Sequence, residues 1–332
     1  MRGAALAALF MLAACSTNPS AHAPLAGSST PLAAASPSTS PTAAVIPNSC
    51  RLPVHWEIGS ATSPPYSSHA GFLTIPGNGL TEDPDGVGFP RYLNGRWLPG
   101  GLGSPDGQQY VYGDRDYAIH LVDVATAYDR VIGGAGPWGG PAAFTSDGLY
   151  LNRVRITPSN FAGDMQTPLG LWLVDTAGGE PRKVGVSPDL MWSVAGKAAW
   201  GSDRPAGDPP GQGSNRLLRA DLSGGAAVEW FHQPQANSVI LVGFDGQGLP
   251  FVSDDRAVWH VTGPNQSVEV FRDTRFRPQG PLANDKRGTW FSGFGTFENT
   301  WASPVFLYSG SGRIEPAGEI PGARISVAGG CA

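Results

Sequence analysis

The residues best suited to catalysis are carboxylates in two tight loops, "GDRDY" and "SDDRA". These loops contain Asp114, Asp116, Asp254 and Asp255. Paired acids are the minimum that general acid–base cleavage of a sugar or a lactone requires. A hydrolase or lyase acting on such a substrate is therefore one hypothesis, although no spacing in the sequence brings any two of these carboxylates together.

One loop offers a candidate metal site. In "TEDPDG", Asp83 and Asp85 supply, with Glu82, the hard oxygen ligands that calcium prefers. The loop lacks the length and spacing of an EF-hand, which favours a surface loop stabilised by Asx turns, and we predict no cofactor. The histidines outside the N-terminal region show no H-x-x-x-H spacing, and the chain has no G-x-S-x-G, P-loop or G-x-G-x-x-G motif.

The composition favours a protein made of many short strands. The 332 residues include 46 Gly and 31 Pro, and only 15% are charged. So many Gly and Pro residues interrupt the chain too often for long helices, and they are typical of strands joined by turns. The formal net charge of −5 gives no basic surface for nucleic acid, which we exclude as a partner.

The N-terminus has the pattern of an export signal followed by a tether. Arg2 precedes the apolar stretch "GAALAALFMLAA", and "LAAC" resembles the bacterial lipobox, in which the cysteine is lipidated. This resemblance predicts a signal peptide over 1–14 and a lipid on Cys15 that holds the chain at the outer face of the cell membrane. A signal peptide that contains a cysteine by chance is the alternative. Residues 15–48, rich in Ser, Thr, Pro and Ala, are predicted to be a disordered tether.

The remaining cysteines suggest a disulfide. Once Cys15 is assigned to lipid, Cys50 and Cys331 are left at the two ends of the predicted globular part, 49–332. In an exported protein an even remainder of two favours a bond between them, and two free thiols are the alternative. Such a bond would join the ends of the fold.

Two recurring units divide the globular part into repeats. The first is a Gly followed three residues later by an aromatic residue or Leu, as at Gly107 and Tyr110 or Gly148 and Leu151. The second occurs as "IHLVDVATA", "LWLVDTAGG", "LLRADLSGG", "VWHVTGPNQ" and "VFLYSGSGR", spaced by 52, 46, 41 and 47 residues. A period near 40 to 50 with four short strands per copy is typical of a β-propeller blade.

Five full copies leave both ends of the chain for a sixth blade. The copies span roughly 104–134, 138–187, 188–235, 236–273 and 278–320, and Ser326–Gly329 repeats the "SVAG" of Ser193–Gly196. The C-terminal strand is therefore predicted to be the first strand of a blade that continues with "GFLTI", "PRYL" and "RWLP". An all-β, six-bladed propeller closed by both termini follows.

One motif points to a known group of propellers. "SPDGQQYVY", Ser104 to Tyr112, resembles the Ser-Pro-Asp-Gly signature of the WD40-like repeats in TolB-type bacterial propellers. The full signature occurs once, and the globular part as a whole is similar to uncharacterised propeller lipoproteins. The resemblance implies a binding platform and assigns no catalytic residue.

Loop lengths indicate which face of the ring binds. Four second-to-third strand connections are long: "PGNGLTEDPDGVGF", "ITPSNFAGDMQTP", "SDRPAGDPPGQGSN" and "GFGTFENTWAS". Long loops gathered on one face of a rigid scaffold are the usual place for binding residues. The candidates on that face are Trp138, Phe161, Asp164, His232, Arg275, Arg277, Asn299 and Trp301. The alternatives are that the tryptophans pack loops onto blades and that the arginines lie on a solvated blade edge.

Two hypotheses result. The favoured one is a monomeric, membrane-anchored propeller that binds or scaffolds a protein, peptide or glycan at the cell envelope. The alternative is the hydrolase or lyase, with its carboxylates at the mouth of the propeller.

Overall fold

The computed structural model describes residues 49–60, 63–88, 90–99, 102–158, 165–209, 213–254, 257–273, 276–295 and 302–331. The predicted signal peptide and tether, with Cys15, lie outside these residues. Within them, six four-stranded sheets form a six-bladed β-propeller, as predicted. No helix among the described residues is long and apolar enough to cross a membrane.

The strands are numbered in chain order. The chain begins with β1 (Cys50–Ser60), β2 (Ser63–Ile75), β3 (Gly79–Glu82), a 3-10 turn (Pro84–Gly86) and the hairpin strands β4 (Arg91–Leu93) and β5 (Arg96–Leu98). Blade 1 contains β6 (Leu102–Gly103), β7 (Gln109–Gly113), β8 (Ile119–Asp123) and β9 (Asp129–Ile132). Blade 2 contains β10 (Trp138–Thr145), β11 (Gly148–Thr157), β12 (Met165–Val174) and β13 (Arg182–Lys183). Blade 3 contains β14 (Trp192–Ala195), β15 (Ala198–Asp203), β16 (Arg216–Asp221) and β17 (Val228–His232).

Three further blades complete the ring. Blade 4 contains β18 (Ile240–Phe244), β19 (Pro250–Ser253), β20 (Ala257–Gly263) and β21 (Gln266–Arg272). Blade 5 contains β22 (Phe276–Asp285), β23 (Gly288–Gly295), β24 (Ala302–Tyr308) and β25 (Ile314–Pro321). The closing blade has the strand order β26-β1-β2-β3, where β26 is Ala323–Val327.

The core consists of the interfaces between successive blades. Each blade presents alternate apolar side chains on both faces, and these faces pack pairwise. Val111 and Leu121 of blade 1 pack with Leu149 and Leu151 of blade 2, for example, and Trp290 of blade 5 packs into the closing blade. A four-stranded sheet cannot bury both faces alone, and stacking around an axis solves this problem.

The repeated glycines fall at the turn from the first to the second strand of each full copy. Gly107, Gly148, Gly196, Gly248 and Gly288 all have a positive φ, between 57° and 139°. A side chain would strain the backbone there, which explains why Gly recurs at this position. In blades 1 and 4 an aspartate side chain stabilises this turn. Asp106 accepts a hydrogen bond from the Gln108 backbone N–H (3.0 Å), and Asp245 accepts one from the Gln247 backbone N–H (2.8 Å).

The closing blade joins the two ends of the described chain, as predicted. Strand β26 pairs antiparallel with β1, with Val54 opposite Val327 and Ile58 opposite Ala323. Cys331 is bonded to Cys50 with a Cα–Cα distance of 5.6 Å. This confirms the predicted disulfide. The bond links the chain after β26 to the start of β1, the position at which the other blades have a first-to-second strand turn. Such a bond is typical of an oxidising, extracytoplasmic environment.

The other strands of the closing blade differ from the prediction. Residues 50–60 form its second strand and 63–75 its third, whereas "PRYL" and "RWLP" are not its third and fourth strands. The reason is the alternation Cys50, Leu52, Val54, Trp56, which buries one face of β1 against blade 5. This pattern makes β1 a core strand, the second of the closing blade. "GFLTI" therefore lies in the third strand and not in the second.

"PRYL" and "RWLP" instead supply the separate hairpin β4–β5, which packs beside the closing blade. Its turn, Asn94-Gly95, has φ values of 50° and 79°, as a type I′ hairpin turn requires. The Tyr92 backbone N–H donates to the Ala328 carbonyl (2.8 Å), and the rings of Tyr92 and Trp97 contact Phe72 at 5.2 and 6.0 Å. A Cβ on Gly103 of blade 1 would meet side chains of the hairpin at 3.1 Å, so the hairpin lies between the closing blade and blade 1.

Connections alternate between two faces of the ring because neighbouring strands are antiparallel. We call the face with the first-to-second and third-to-fourth strand turns the short-turn face, and the other the long-loop face. Three of the four long connections predicted for the long-loop face follow second strands, at 158–164, 204–215 and 296–301. The fourth is wrong, because 76–78 is the turn from β2 to β3 and 79–82 is β3 itself.

Candidate binding site

Most of the predicted binding residues lie outside the described chain. These are Phe161, Asp164, Arg275, Asn299 and Trp301. Arg277 lies in β22, opposite Phe294 of β23. Of the candidates, the structure describes side-chain contacts for Trp138 and His232 only, and it does not bring these two together.

Trp138 is a packing residue. It begins β10, is 2% exposed, and belongs to the apolar cluster between blades 1 and 2. The Arg153 guanidinium lies 5.4 Å from the centre of its ring. These contacts favour the packing alternative for Trp138 over a role in binding, because a buried ring offers no surface to a partner.

His232 fixes the long loop 204–215 to blade 3. Its Nε2 lies 2.6 Å from Oδ2 of Asp208, which also accepts a hydrogen bond from Asn215 Nδ2 (2.6 Å). The bond to His232 is the main cause that lowers the pKa of Asp208. The described part of this loop is therefore held by a His232–Asp208 hydrogen bond that its sequence spacing, 24 residues, does not reveal.

Arg204 holds the same loop from its other side. Its guanidinium donates to the carbonyls of Pro209 (2.9 Å) and Gly213 (2.7 Å) within the loop, and to those of Ala236 (2.9 Å) and Asn237 (2.7 Å) in the connection to blade 4. A guanidinium with so many fixed acceptors immobilises the backbone around it. The described part of this connection is consequently held in place by its own hydrogen bonds.

The candidate calcium ligands have structural partners. Asp83 Oδ1 accepts the backbone N–H of Asp85 (3.3 Å) at the start of the 3-10 turn, and Asp83 Oδ2 accepts Trp97 Nε1 (2.9 Å). Glu82 pairs with His69 (3.0 Å). In the part of the chain that the structure describes, no three His, Cys, Asp or Glu side chains are placed to hold a metal ion.

The carboxylates of the hydrolase hypothesis bind their own turns. Asp114 Oδ1 accepts the backbone N–H groups of Asp116 (2.9 Å) and Ala118 (2.8 Å), and Asp254 Oδ1 accepts that of Ala257 (2.7 Å). Asp255 lies outside the described residues. These bonds account for the acidic residues as turn formers.

The structure adds a polar cavity that the sequence did not indicate. It lies in the half of the closing blade nearer the long-loop face, has a volume of about 180 Å³, and is lined by His55, Trp56, Glu57, Ser68, His69, Arg324 and Ser326. Glu57 is opposite both Arg324 and Ser68 in the sheet, and His55 is opposite Ser326. Only the pairing of the two chain ends brings these residues together.

The side chains of His69, Arg324 and Glu57 give this closing-blade cavity its polar character. The His69 ring stacks on Trp56 with 5.4 Å between ring centres, and its Nδ1 is held by Glu82. His69 Nε2 is buried and has no hydrogen-bond partner among the described residues. The Arg324 side chain, half exposed, is 3.9 Å from Glu57. A buried polar atom without a partner costs free energy, and His69 Nε2 is such an atom beside the cavity.

A second polar cluster lies on the face of blade 1 that points away from blade 2. His120 Nδ1 is 2.8 Å from Asp129 Oδ1, its Nε2 is 3.3 Å from Asp114 Oδ2, and Tyr112 donates its hydroxyl to Asp129 (2.7 Å). The bond to Asp129 is the main cause that raises the pKa of His120, and the same carboxylate raises the pKa of Tyr112 to about 12. Both ring nitrogens are thus engaged, and the cluster acts as an ion-pair network.

This network predicts a pH-dependent stability. Because the pKa of His120 is higher in the folded chain, its charged pair stabilises the fold below the unfolded pKa of about 6.5, and this contribution disappears as the pH rises through the folded pKa. His120→Gln should therefore cost more at about pH 6 than at about pH 8, by less than about 1 kcal/mol because the pair is partly exposed. Urea unfolding followed by Trp fluorescence measures the difference.

The control for this experiment is His260. It is buried in blade 4 beside Asp245 (3.0 Å), and burial lowers its pKa, so its own contribution to stability falls as the pH falls. His260→Gln should give a pH dependence of the opposite sign. Equal costs of His120→Gln at both pH values would contradict a charged His120.

Comparisons with known proteins do not assign this chain to a family. No family model matches this chain, and no curated protein matches it. The case for a function therefore depends on the fold and on the sites described above.

Proposed function

We propose that this chain is a lipid-anchored extracytoplasmic propeller that binds or scaffolds a protein, peptide or glycan at the cell envelope. Export is supported by the Cys50–Cys331 disulfide. Anchoring rests on the lipobox-like "LAAC" ending at Cys15 and on the tether that follows it. The similarity to TolB-type propellers depends on the "SPDGQQYVY" motif, and it is part of the same proposal.

The observation that carries the binding role is the closing-blade cavity. At about 180 Å³ it is smaller than the roughly 300–1,000 Å³ of pockets that enclose a small-molecule substrate. It fits one side chain or one terminal group of a larger partner. The lining includes the polar side chains of Arg324, His55, His69 and Glu57, so the inserted group is polar.

The hydrolase or lyase alternative receives no comparable support. Two of its three described carboxylates, Asp114 and Asp254, accept hydrogen bonds from the backbone of their own turns, and the third, Asp116, is exposed. The binding role is therefore the better supported of the two hypotheses.

The test uses the full chain with Cys15→Ser. Loss of the lipid should move the protein from the membrane fraction to the soluble fraction. This soluble form is then immobilised and used to capture partners from detergent-solubilised envelopes and from a glycan array. We expect Arg324→Ala to weaken capture by about tenfold, as expected when a central contact residue is truncated.

Arg313→Ala is the matched control, since Arg313 is an exposed arginine that precedes β25 on the short-turn face. It should leave capture unchanged. Membrane retention of the Cys15→Ser chain would refute the anchor. Equal capture by the two arginine variants would refute the role of the cavity.

A further inference from the structure

A second cavity opens at the outer edge of blade 1, near the short-turn face. Its volume is about 450 Å³, and it is lined by Gln109, Leu121, Asp123, Thr126, Tyr128 and Arg130. In the register of blade 1, Gln109 is opposite Asp123 and Leu121 is opposite Arg130. Leu121 also packs in the apolar cluster shared with blade 2, so this blade 1 cleft lies on the side facing blade 2.

The cleft has an apolar floor and an aromatic edge. Leu121 is 2% exposed, whereas Tyr128 is 64% exposed, the largest exposed fraction among the large hydrophobic and aromatic side chains that the structure describes. A tyrosine ring offers a large rigid surface with little entropy to lose on binding. An exposed ring beside a cleft of this size, within the roughly 300–1,000 Å³ typical of ligand pockets, provides a stacking surface for a flat apolar group.

The polar side chains in the cleft keep hydrogen-bonding capacity. Asp123 Oδ1 accepts Ala125 N–H (3.1 Å), Thr126 N–H (2.8 Å) and the Thr126 hydroxyl (2.7 Å). The bond from the Thr126 hydroxyl is the largest of the causes that lower the pKa of Asp123, and the two backbone bonds add to it. The carboxylate is therefore ionised, and its Oδ2 retains its lone pairs. Arg130 donates from one nitrogen to the Thr176 carbonyl of blade 2. Its other N–H groups and the amide of Gln109 are the hydrogen-bond donors of the cleft.

The backbone that carries the Tyr128 ring is fixed before any ligand arrives. Its backbone carbonyl accepts the Asp123 N–H (3.0 Å), and its own N–H reaches the Thr126 hydroxyl at 3.3 Å. Arg130 is similarly held by blade 2. A pre-ordered site loses less entropy on binding. One carboxylate and one guanidinium also leave the lining without net charge, which favours a neutral ligand over an anion or a cation.

From these contacts we propose that the blade 1 cleft binds a neutral saccharide of one or two rings. The C–H face of a pyranose stacks on the Tyr128 ring. Its hydroxyls donate to Asp123 and accept from Arg130 and Gln109. This site is separate from the closing-blade cavity, and its ligand class does not depend on the function proposed for that cavity.

The test is direct binding to the full chain carrying Cys15→Ser. Maltose, cellobiose, chitobiose, xylobiose and mannobiose are titrated singly by calorimetry, with saturation-transfer NMR to detect weak contacts. We expect at least one to bind with a Kd of about 1 mM or tighter. Tyr128→Ala and Asp123→Asn should each weaken that binding by about tenfold, and Tyr128→Phe, which keeps the ring, by less than about threefold.

Val131→Ala is the matched control. Val131 is an exposed residue of β9, the strand that contains Arg130, and it is opposite His120 and therefore on the other face of blade 1. It should leave the affinity unchanged. The proposal is overturned if none of the five disaccharides binds, or if one binds and the Tyr128 and Asp123 variants retain its full affinity. Circular dichroism of each variant excludes unfolding as the cause of any loss.

Discussion

Deletion of residues 323–332 is expected to leave a chain without a cooperative folding transition. The deletion removes β26, the first strand of the closing blade, in which Ala323, Ile325 and Val327 are each 1% exposed. Burying an Ile or a Val side chain contributes about 1.5–3 kcal/mol, and the disulfide is lost as well. The combined loss, about 10 kcal/mol, matches the whole stability of a typical domain.

Thermal unfolding followed by near-ultraviolet circular dichroism measures this effect. The control is a deletion of similar length inside 16–48, which should leave the transition temperature unchanged because the sequence predicts a tether there. A cooperative transition at the original temperature in the chain lacking 323–332 would show that the ring does not depend on its C-terminal strand.

Replacement of both Cys50 and Cys331 by Ser is expected to lower the free energy of unfolding by about 5 kcal/mol. The two residues are 281 positions apart, so the bond closes a very long loop and removes much of the entropy of the unfolded chain. Ile325 and its neighbours remain, and we expect this variant to fold.

The measurement is urea unfolding of the double variant against its parent, with Cys15→Ser in both chains so that no unpaired thiol interferes. The midpoint should fall and the slope should rise, because the unfolded chain without the bond is less compact and exposes more surface. Identical midpoints, or two alkylatable thiols in the exported parent, would contradict a stabilising bond between the ends.

The sequence is most informative where the signal is local and repeated. The recurring units "IHLVDVATA", "LLRADLSGG" and "VWHVTGPNQ" each contain all or part of a third strand. Their spacing sets the blade count because the blade is the unit of packing. The closing blade was assigned less well, because it occurs once and its strands come from both ends of the chain.

The sites were harder to predict than the blades. His232 and Asp208 meet through a loop whose path has no periodic signal. The closing-blade cavity combines residues near 55 and 69 with Arg324 and Ser326, and only the register of β26 on β1 brings them together. The blade 1 cleft is made of side chains from one blade, but its opening depends on how that blade meets the next. Tertiary geometry of this kind leaves no mark on spacing or composition.

The position of the disulfide also determines how the ring carries mechanical load. A pull on the chain ahead of Cys50 reaches the fold at a residue that is bonded to Cys331, whose backbone N–H in turn donates to Asp285 of blade 5 (2.6 Å). Tension is therefore shared at once between the second strand of the closing blade, its first strand and the neighbouring blade. Peeling β1 away from the sheet residue by residue, the easiest way to unravel a terminal strand, is blocked at its first residue.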